Sequence, residues 1–493
     1  MDIGSNTARF VVFEAAAGTA RAVYEAKAAP RLGSNLAPRG RLSDEAIARG
    51  VASVRRFAET VARLGVPRTL AVATSAVRDA ENGPDFVREV EEATGVLLRI
   101  LSGTEEARYG YLGVASAWEL ENDLVVDLGG GSLQLAEVRA GRLRNSVSLP
   151  LGALRLTQRF LEHDPPKTRE EDALRDHVRT TLGSALEAFG GDGYRVYGIG
   201  GTIRALARAA IEFREYPIRR VHGFPLYDRD LDALGELLGE MPAAKRRAIA
   251  GIGSDRADVV VAGVVVLQEL LRAARVERLL VSGTGIREGI ALEAIGAELP
   301  ASAVALAERS AAAAAESFSF PLDHGREVAG TAVALLAVLG DRVGAGPREA
   351  LALRVAAWMH DAGTAVDLWN HAQHSAYLLE NYPIRGLEQR EVLLAAMAAY
   401  LHQGDAPPSE WKKGYLPVIR PPDLEMAIRL GAILEAAELT TAAGPEFHLV
   451  AGGRTLSLTF SSPADTTLDP RWLEKVRKPM ERVFGLEVRT RDG

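Results

Sequence analysis

Two aspartates, each one residue ahead of a glycine-rich turn, are the side chains in this chain best set to do chemistry. Asp2 opens Asp2-Ile3-Gly4-Ser5-Asn6-Thr7, followed by the apolar run Phe10-Val11-Val12-Phe13. Asp127 opens Asp127-Leu128-Gly129-Gly130-Gly131-Ser132, preceded by Leu124-Val125-Val126 and followed by Leu133-Gln134-Leu135-Ala136. Each stretch reads as a tight turn between two strands. Glycine there lets backbone N–H groups approach an anion with no Cβ in the way. Two such hairpins point to two related lobes that hold one phosphate between them. Gly4, Ser5 and Asn6 would cradle it on one side, and Gly129, Gly130, Gly131 and Ser132 on the other. Asp127 is then the anchor for a hard cation, Mg²⁺ or Mn²⁺, which takes carboxylate, water and phosphate oxygens. Asp2 holds a water or assists the metal from the facing lobe.

Two further turns extend the pattern. Val196-Tyr197-Gly198-Ile199-Gly200-Gly201-Thr202 leads into an expected helix over Ile203 to Ile211, and Val281-Ser282-Gly283-Thr284-Gly285-Ile286 again runs strand into helix. Backbone N–H groups at a helix start, with the helix dipole, favour anions. Gly201 and Thr202 are therefore candidate phosphate contacts, with Arg204 and Arg256 as cationic ones. The Walker lysine pattern is missing, and no Gly-x-Gly-x-x-Gly follows a first strand, so P-loop and dinucleotide-binding readings lose ground.

The elements that must carry these residues alternate. Ser43 to Leu64 is an amphipathic helix with Ser43 as its cap and Gly65 as its stop. Thr69 to Ala73 and Val96 to Leu101 read as strands, and Pro84 to Thr94 as a helix. Ser102-Gly103-Thr104-Glu105 has capping-box spacing and opens a helix to about Trp118, with Glu105 as the capping partner and Glu106 in the first turn. This order implies an α/β lobe over 1–120 and a second lobe over 121–298 that again pairs hairpin strands with crossover helices, so the first half of the chain looks internally duplicated. A further apolar strand would be expected ahead of Asp2. From 299 to 444 helical periods dominate: Ala301 to Ser317, Glu327 to Arg342, Pro347 to His360, Ser375 to Tyr382, Leu387 to His402 and Leu424 to Thr440. The stretch 445–493 returns to strands, with a turn at Gly452-Gly453, and reads as a small α+β cap.

Composition excludes other classes. The chain has 493 residues, 47% of them hydrophobic and 25% charged, as a packed globular protein does. A formal net charge of −7 argues against general nucleic-acid binding. Zero cysteines exclude disulfides and thiol chemistry. The longest apolar run, Val259 to Leu267, is too short to span a bilayer. A cytoplasmic enzyme with no membrane partner is the simplest reading. A polyanion path over Arg214, Arg219, Arg220, His222 and Lys245-Arg246-Arg247 competes with the plainer reading of a solvated charged face.

Six stretches together resemble the exopolyphosphatase/guanosine pentaphosphate phosphohydrolase (Ppx/GppA) family of the actin-like ATPase superfamily. They are Asp2 to Thr7, Ala73 to Arg78, Ser102 to Arg108, Asp127 to Gln134, Gly198 to Arg204, and Ser282 to Gly289. The resemblance implies two ribonuclease H-like (actin-like) lobes with a cleft, then an all-α HD-like domain and the small cap. It implies that Glu106, the second glutamate of Ser-Gly-x-Glu-Glu-Ala-Arg, is catalytic, and that Arg78 is a cleft arginine. A carboxylate at a helix start is also held charged by the dipole, by roughly 0.3–1 kcal/mol when exposed. One departure stands out: Gln134 occupies a position where the family usually has glutamate, which would weaken divalent binding. A homodimer is also implied.

His360-Asp361 resembles the paired ligand of the His-Asp phosphohydrolase superfamily, with His324 upstream and His371, His374 and His402 downstream. The closing aspartate is expected near Arg429-Leu430-Gly431-Ala432, where Ala432 stands instead. The expectation is a degenerate domain, structural or substrate-guiding.

The expected function is hydrolysis of the terminal phosphate of inorganic polyphosphate, with Glu106 as base. Removal of the 5′ γ-phosphate of guanosine pentaphosphate (pppGpp) is the close alternative. A superfamily kinase or ATPase would need an adenosine pocket near Gly198 to Thr202. A non-catalytic polyphosphate or alarmone sensor is a further alternative, favoured by Gln134.

Overall fold

The computed structural model describes residues 1–16, 19–34, 36, 40–190, 193–404, 407–409, 411–442, 446–452, 455–461 and 470–492. The chain divides into two compact units, Met1–Glu215 with Arg219–Leu299, and Pro300–Gly493 with Tyr216–Ile218.

The first unit is built on two sheets with the same internal plan. One holds β1 (Asp2–Ile3), β2 (Ala8–Ala16), β3 (Thr19–Ala28), β4 (Ala71–Ala73) and β5 (Leu98–Ile100) in the order β3-β2-β1-β4-β5. The other holds β6 (Asp123–Leu128), β7 (Leu133–Arg139), β8 (Arg142–Leu149), β9 (Arg195–Ile199), β10 (Pro225–Tyr227) and β11 (Arg278–Val281) in the order β10-β11-β9-β6-β7-β8. In each, three strands form an antiparallel meander and two parallel strands add to the far side of the first strand, the second sheet then closing with β10 antiparallel to β11. This is the duplicated α/β plan that the paired turns imply.

Helix Asp44–Arg63 starts as its sequence dictates. Ser43 accepts the amide of Ala46, and Gly65 ends the segment at φ +63. Its apolar face, with Ile47, Val54 and Phe57, packs in the core of the first sheet beside Phe10 and Phe86.

Helix Gly103–Ala115 matters most for function. Ala107, Tyr111 and Val114 pack with Val125, Ala136, Val138, Tyr197 and Ile199 of the second sheet. Tyr109, on another face, packs with Val72 and Leu101 of the first. A helix apolar on several faces is a buried one, and this one is wedged between the two sheets although it lies ahead of residue 120. It ends three residues before Trp118, which is itself packed in that core.

The second unit holds helices Ala303–Ser317, Leu322–Leu339, Pro347–Met359, His371–Asn381, Gln389–Leu401 and Pro421–Ala442. Three start earlier than their apolar periods imply, at Leu322 rather than Glu327, at His371 rather than Ser375 and at Pro421 rather than Leu424. A three-stranded sheet follows, β12 (Glu446–Gly452), β13 (Thr455–Ser461) and β14 (Glu487–Asp492), with helix Pro470–Phe484 between the last two. The expected turn at Gly452-Gly453 falls partly outside the described residues. Among the described residues, no helix is long and apolar enough to cross a membrane.

Candidate active site

The two aspartate turns are built alike. Gly4 N–H donates to the carbonyl of Thr7 at 3.0 Å, and Gly129 N–H donates to that of Ser132 at 3.0 Å. Each bond closes a hairpin in which the aspartate faces the residue seven positions on: Asp2 opposite Arg9, Asp127 opposite Gln134. The turns meet tip to tip. A Cβ on Gly131 would lie 2.2 Å from Ser75 Oγ and 2.6 Å from Ser5 Oγ, and one on Gly130 would crowd Ser5 and Asn6. Only glycine permits this approach. Ser5 and Ser75 hydroxyls share a hydrogen bond of 2.8 Å beneath it.

Between the turns lies a cleft cavity of about 100 Å³. Asp2, Gly4, Ser5, Asn6, Glu106, Asp127, Gly129, Gly130, Ser132, Gly201, Arg204 and Arg256 all line it. Residues from five separate stretches of sequence therefore meet in one place. Arg78, Gly131 and Thr202 do not line it. Arg78 Nη1 donates to Glu106 Oε2 at 2.9 Å and to the carbonyl of Leu101 at 3.0 Å, so it holds the glutamate. Gly131 packs under the turns, and its carbonyl accepts from Arg155 Nε at 2.8 Å. Thr202 is buried and accepts from Arg256 Nη1 at 3.3 Å.

Three carboxyl groups share the cleft. Glu106 is 7% exposed. Burial pushes its pKa up to about 7, with Arg78 pulling it down and Asp127 and Asp2 adding to the rise. Burial likewise pushes Asp127 up to about 6, against the pull of Arg204 and with a push from Asp2. Asp2 is raised by burial too. Burial is the main cause of all three shifts, and the donors these groups offer are all oxygens. That fits a hard divalent cation held by Asp127 and Asp2.

Four guanidinium groups face them. Burial pushes Arg204 down to about 9, with Arg287 and Arg9 adding to the depression. Burial pushes Arg256 down to about 10. Among the described residues the Arg204 side chain has no hydrogen-bond or ion-pair partner. Arg9 and Arg287, both absent from the sequence reading, also line the cleft and share Glu25 Oε1, at 3.0 and 2.9 Å. The hairpin spacing could have found Arg9, since a four-residue turn after Ile3 sets it opposite Asp2. Arg287 lies two residues after Gly285 of the Gly283-Thr284-Gly285 turn, in the first turn of helix Ile286–Ala294. Burial, and secondarily the neighbouring guanidinium groups, depress Arg9, Arg204 and Arg256, whereas the carboxylates beside Arg287 hold it up; such a cluster of cations suits an anion.

The turns are also fastened from one lobe to the other. Asn6 Nδ2 donates to the carbonyl of Asp255 at 2.8 Å, Lys27 Nζ meets Asp255 Oδ2 at 2.5 Å, and Arg31 pairs with Asp258.

Glu105 is the capping residue its spacing implies: its carboxylate accepts the Ser102 amide at 2.8 Å, and Ser102 Oγ accepts the Glu105 amide at 3.2 Å. Gln134 is buried and does not line the cavity, its amide donating to Ser132 Oγ at 2.7 Å and Ser148 Oγ at 3.0 Å. Three of the residues on the suggested polyanion path are engaged in internal contacts, while Arg219, Lys245 and Arg247 lie on the surface. Arg246 is 2% exposed and donates to the carbonyls of Leu238 and Ala257, Arg214 pairs with Asp230, and His222 accepts the Gly283 amide while stacking on Trp118.

The model of the Ppx/GppA phosphatase family matches residues 11–298, and that of Ppx/GppA phosphatase domain III matches residues 306–471. Exopolyphosphatase 1 of Mycobacterium tuberculosis is 32% identical over 314 residues, 62% of this chain and 90% of that protein. The guanosine-5′-triphosphate,3′-diphosphate pyrophosphatase of Aeromonas hydrophila is 28% identical over 477 residues, 94% of this chain and 92% of that protein. Among solved structures, the Aquifex aeolicus Ppx/GppA family member aligns with a TM-score of 0.51 at 28% identity, covering 60% of this chain and 95% of its own. An exopolyphosphatase from Cytophaga hutchinsonii shares the fold, with a TM-score of 0.56 at 23% identity, over 60% of this chain and 97% of its own.

Proposed function

The chain belongs to the Ppx/GppA phosphatase family, and from that premise we propose that it is an exopolyphosphatase, releasing the terminal phosphate of inorganic polyphosphate. The observation that carries this reading is the cleft itself: three carboxyl groups and four guanidinium groups around about 100 Å³. The cationic half suits a polyanion. Among the described residues lining the cavity there is no aromatic side chain on which a nucleobase would stack. This favours polyphosphate over the 5′ end of guanosine pentaphosphate, which remains the second reading because its terminal group is the same.

In this reading Arg9, Arg204, Arg256 and Arg287 neutralise the terminal phosphates. Amides of the 4–6 and 129–131 turns fix the end group between the lobes. Asp127 and Asp2 would hold Mg²⁺, which would supply screening of the charge on the transferred group. Water attacks the terminal phosphorus in line. A new P–O bond forms as the anhydride P–O bond to the next phosphate breaks. Glu106 takes the water's proton. Its raised pKa makes it a stronger base than a solvent-exposed glutamate, and Arg78 fixes its orientation. A cytoplasmic homodimer is part of the same proposal.

The test is Mg²⁺-dependent phosphate release from long-chain polyphosphate and from guanosine pentaphosphate at matched end-group concentration, with Glu106→Gln as control. Faster release from polyphosphate, abolished in the variant, is expected. Binding without turnover would overturn hydrolysis in favour of a sensor.

A further inference from the structure

A second cluster of titratable side chains lies in the helical unit, and the cleft chemistry does not use it. His360, His371 and His402 each sit at or beside a helix end, and each spends one ring nitrogen in the same way. Nδ1 of His360 faces the carbonyl of Ala357 at 2.8 Å, Nδ1 of His371 that of Leu368 at 2.8 Å, and Nδ1 of His402 that of Ala399 at 2.5 Å. A carbonyl only accepts, so each Nδ1 carries the proton and each Nε2 presents its lone pair. Those lone pairs converge on one carboxylate. Asp361 Oδ1 lies 3.0 Å from His371 Nε2 and 3.6 Å from His402 Nε2, and its Oδ2 lies 3.6 Å from His360 Nε2.

A set of satisfied core histidines does not account for this. His360 and His402 are 0% and 1% exposed, yet their Nε2 atoms have no hydrogen-bond partner, nor does Asp361 Oδ1. Leaving such groups buried and unpaired costs about 1–3 kcal/mol each. The spacing is that of ligands around an ion: bonds of about 2.0–2.1 Å in a tetrahedral site put neighbouring donors about 3.3 Å apart. Backbone carbonyls that fix the opposite ring nitrogen are the usual outer support of metal-binding imidazoles.

We propose that Asp361, His360, His371 and His402 form a site for a divalent transition-metal ion, separate from the cleft. Nitrogen-rich donors select zinc-, iron- or cobalt-class ions over magnesium. His324 joins His360 and Asp361 in a second close grouping, and Glu438 Oε2 lies 3.5 Å from His402 Nε2. The closing acid is thus not at Ala432 but nearly two turns further along helix Pro421–Ala442. Asp361 and Glu438 are 20% and 28% exposed, so an ion can enter from solvent. Gln403 Nε2, 2.9 Å from His371 Nε2, is the polar group an arriving ion would displace.

The test uses the full chain without a histidine tag, stripped with chelator. It is titrated with Co²⁺ while visible d–d absorption is read, and with Zn²⁺ against a chromophoric competitor. The expected result is saturable uptake with a tetrahedral-type Co²⁺ spectrum and a metal-dependent rise in Tm. Asp361→Asn should abolish both, and His402→Gln should weaken binding by at least about tenfold. Asp127→Asn should leave both intact, which separates this site from the cleft. Because the rise in Tm is referred to each variant's own metal-free melt, a loss of intrinsic stability cannot imitate the result. Absence of uptake by the wild type, or uptake unchanged in both Asp361→Asn and His402→Gln, would overturn the proposal.

Discussion

Arg78 reaches Glu106 and the carbonyl of Leu101 with the same nitrogen, at 2.9 and 3.0 Å. One guanidinium therefore ties the proposed base to the end of β5, and both its charge and its placement act on Glu106. Replacing it with alanine removes an ionic contact that favours the charged carboxylate. The Glu106 pKa then rises further. Arg78→Ala should lower kcat on the order of 100-fold through lost orientation and move the acid limb of the kcat/KM profile to higher pH. An unmoved limb would separate Arg78 from Glu106.

Glu106 itself links catalysis to stability. Its pKa rises from 4.5 to about 7 on folding. The folded state therefore binds the proton more tightly, and this stabilisation is complete below 4.5 and lost as pH rises through 7. Glu106→Gln should cost kcat about 10²–10⁴-fold yet raise the stability of the metal-free protein at pH 8 by roughly 1–3 kcal/mol. The gain should shrink toward pH 4.5. Thermal melts of both proteins across that range provide the check, and a constant difference would contradict the pKa assignment.

Arg204 makes the complementary case for the cations. Burial without a partner depresses it to about 9, so its charge destabilises the substrate-free protein at pH 7. Arg204→Gln should raise Tm without ligand and raise KM for polyphosphate on the order of 10–100-fold, the worth of a charged hydrogen bond. Added phosphate should raise Tm in the wild type and much less in the variant.

Gln134 stands opposite Asp127 on the β6–β7 ladder. A carboxylate there adds negative charge beside the proposed cation ligand and satisfies the hydroxyls that now receive the Gln134 amide. Gln134→Glu should lower the Mg²⁺ concentration giving half-maximal phosphate release severalfold. An unchanged titration would mean that residue 134 has no part in metal affinity.

Gly113 is the packing counterpart of these charges. A Cβ there would lie 1.9 Å from the carbonyl oxygen of Gly285, where helix Gly103–Ala115 meets the start of helix Ile286–Ala294. Gly113→Ala should cost about 1–3 kcal/mol of stability by overpacking. It should also depress kcat, because the two helices carry Glu106 and Arg287. Retained kcat with lowered Tm would confine the glycine to packing.

Local features were legible where chemistry is local. The turn glycines, the Ser43 and Ser102 caps and the duplicated hairpins follow from residue type and spacing. Arg9 and Arg287 were hidden because they become neighbours only when the sheets pair and face each other. Gly131 and Thr202 belong to the right turns, but Gly131 is packed against Ser75 and Ser5 and Thr202 is buried under Arg256, which only the assembled turns reveal. Helix Gly103–Ala115 looked like part of the first lobe because chain order cannot tell which sheet covers a face. In the helical unit the motif spacing pointed to Ala432, whereas the acid in reach is Glu438, one face of a long helix being reached from several positions.

Asp255 receives Asn6 and Lys27 from the opposite lobe, and the next residue along the chain is Arg256. The clasp between the lobes and one of the cleft's cations therefore sit on adjacent residues of one short backbone segment, so a substitution that loosens Asp255 from Asn6 and Lys27 also frees the segment that carries Arg256.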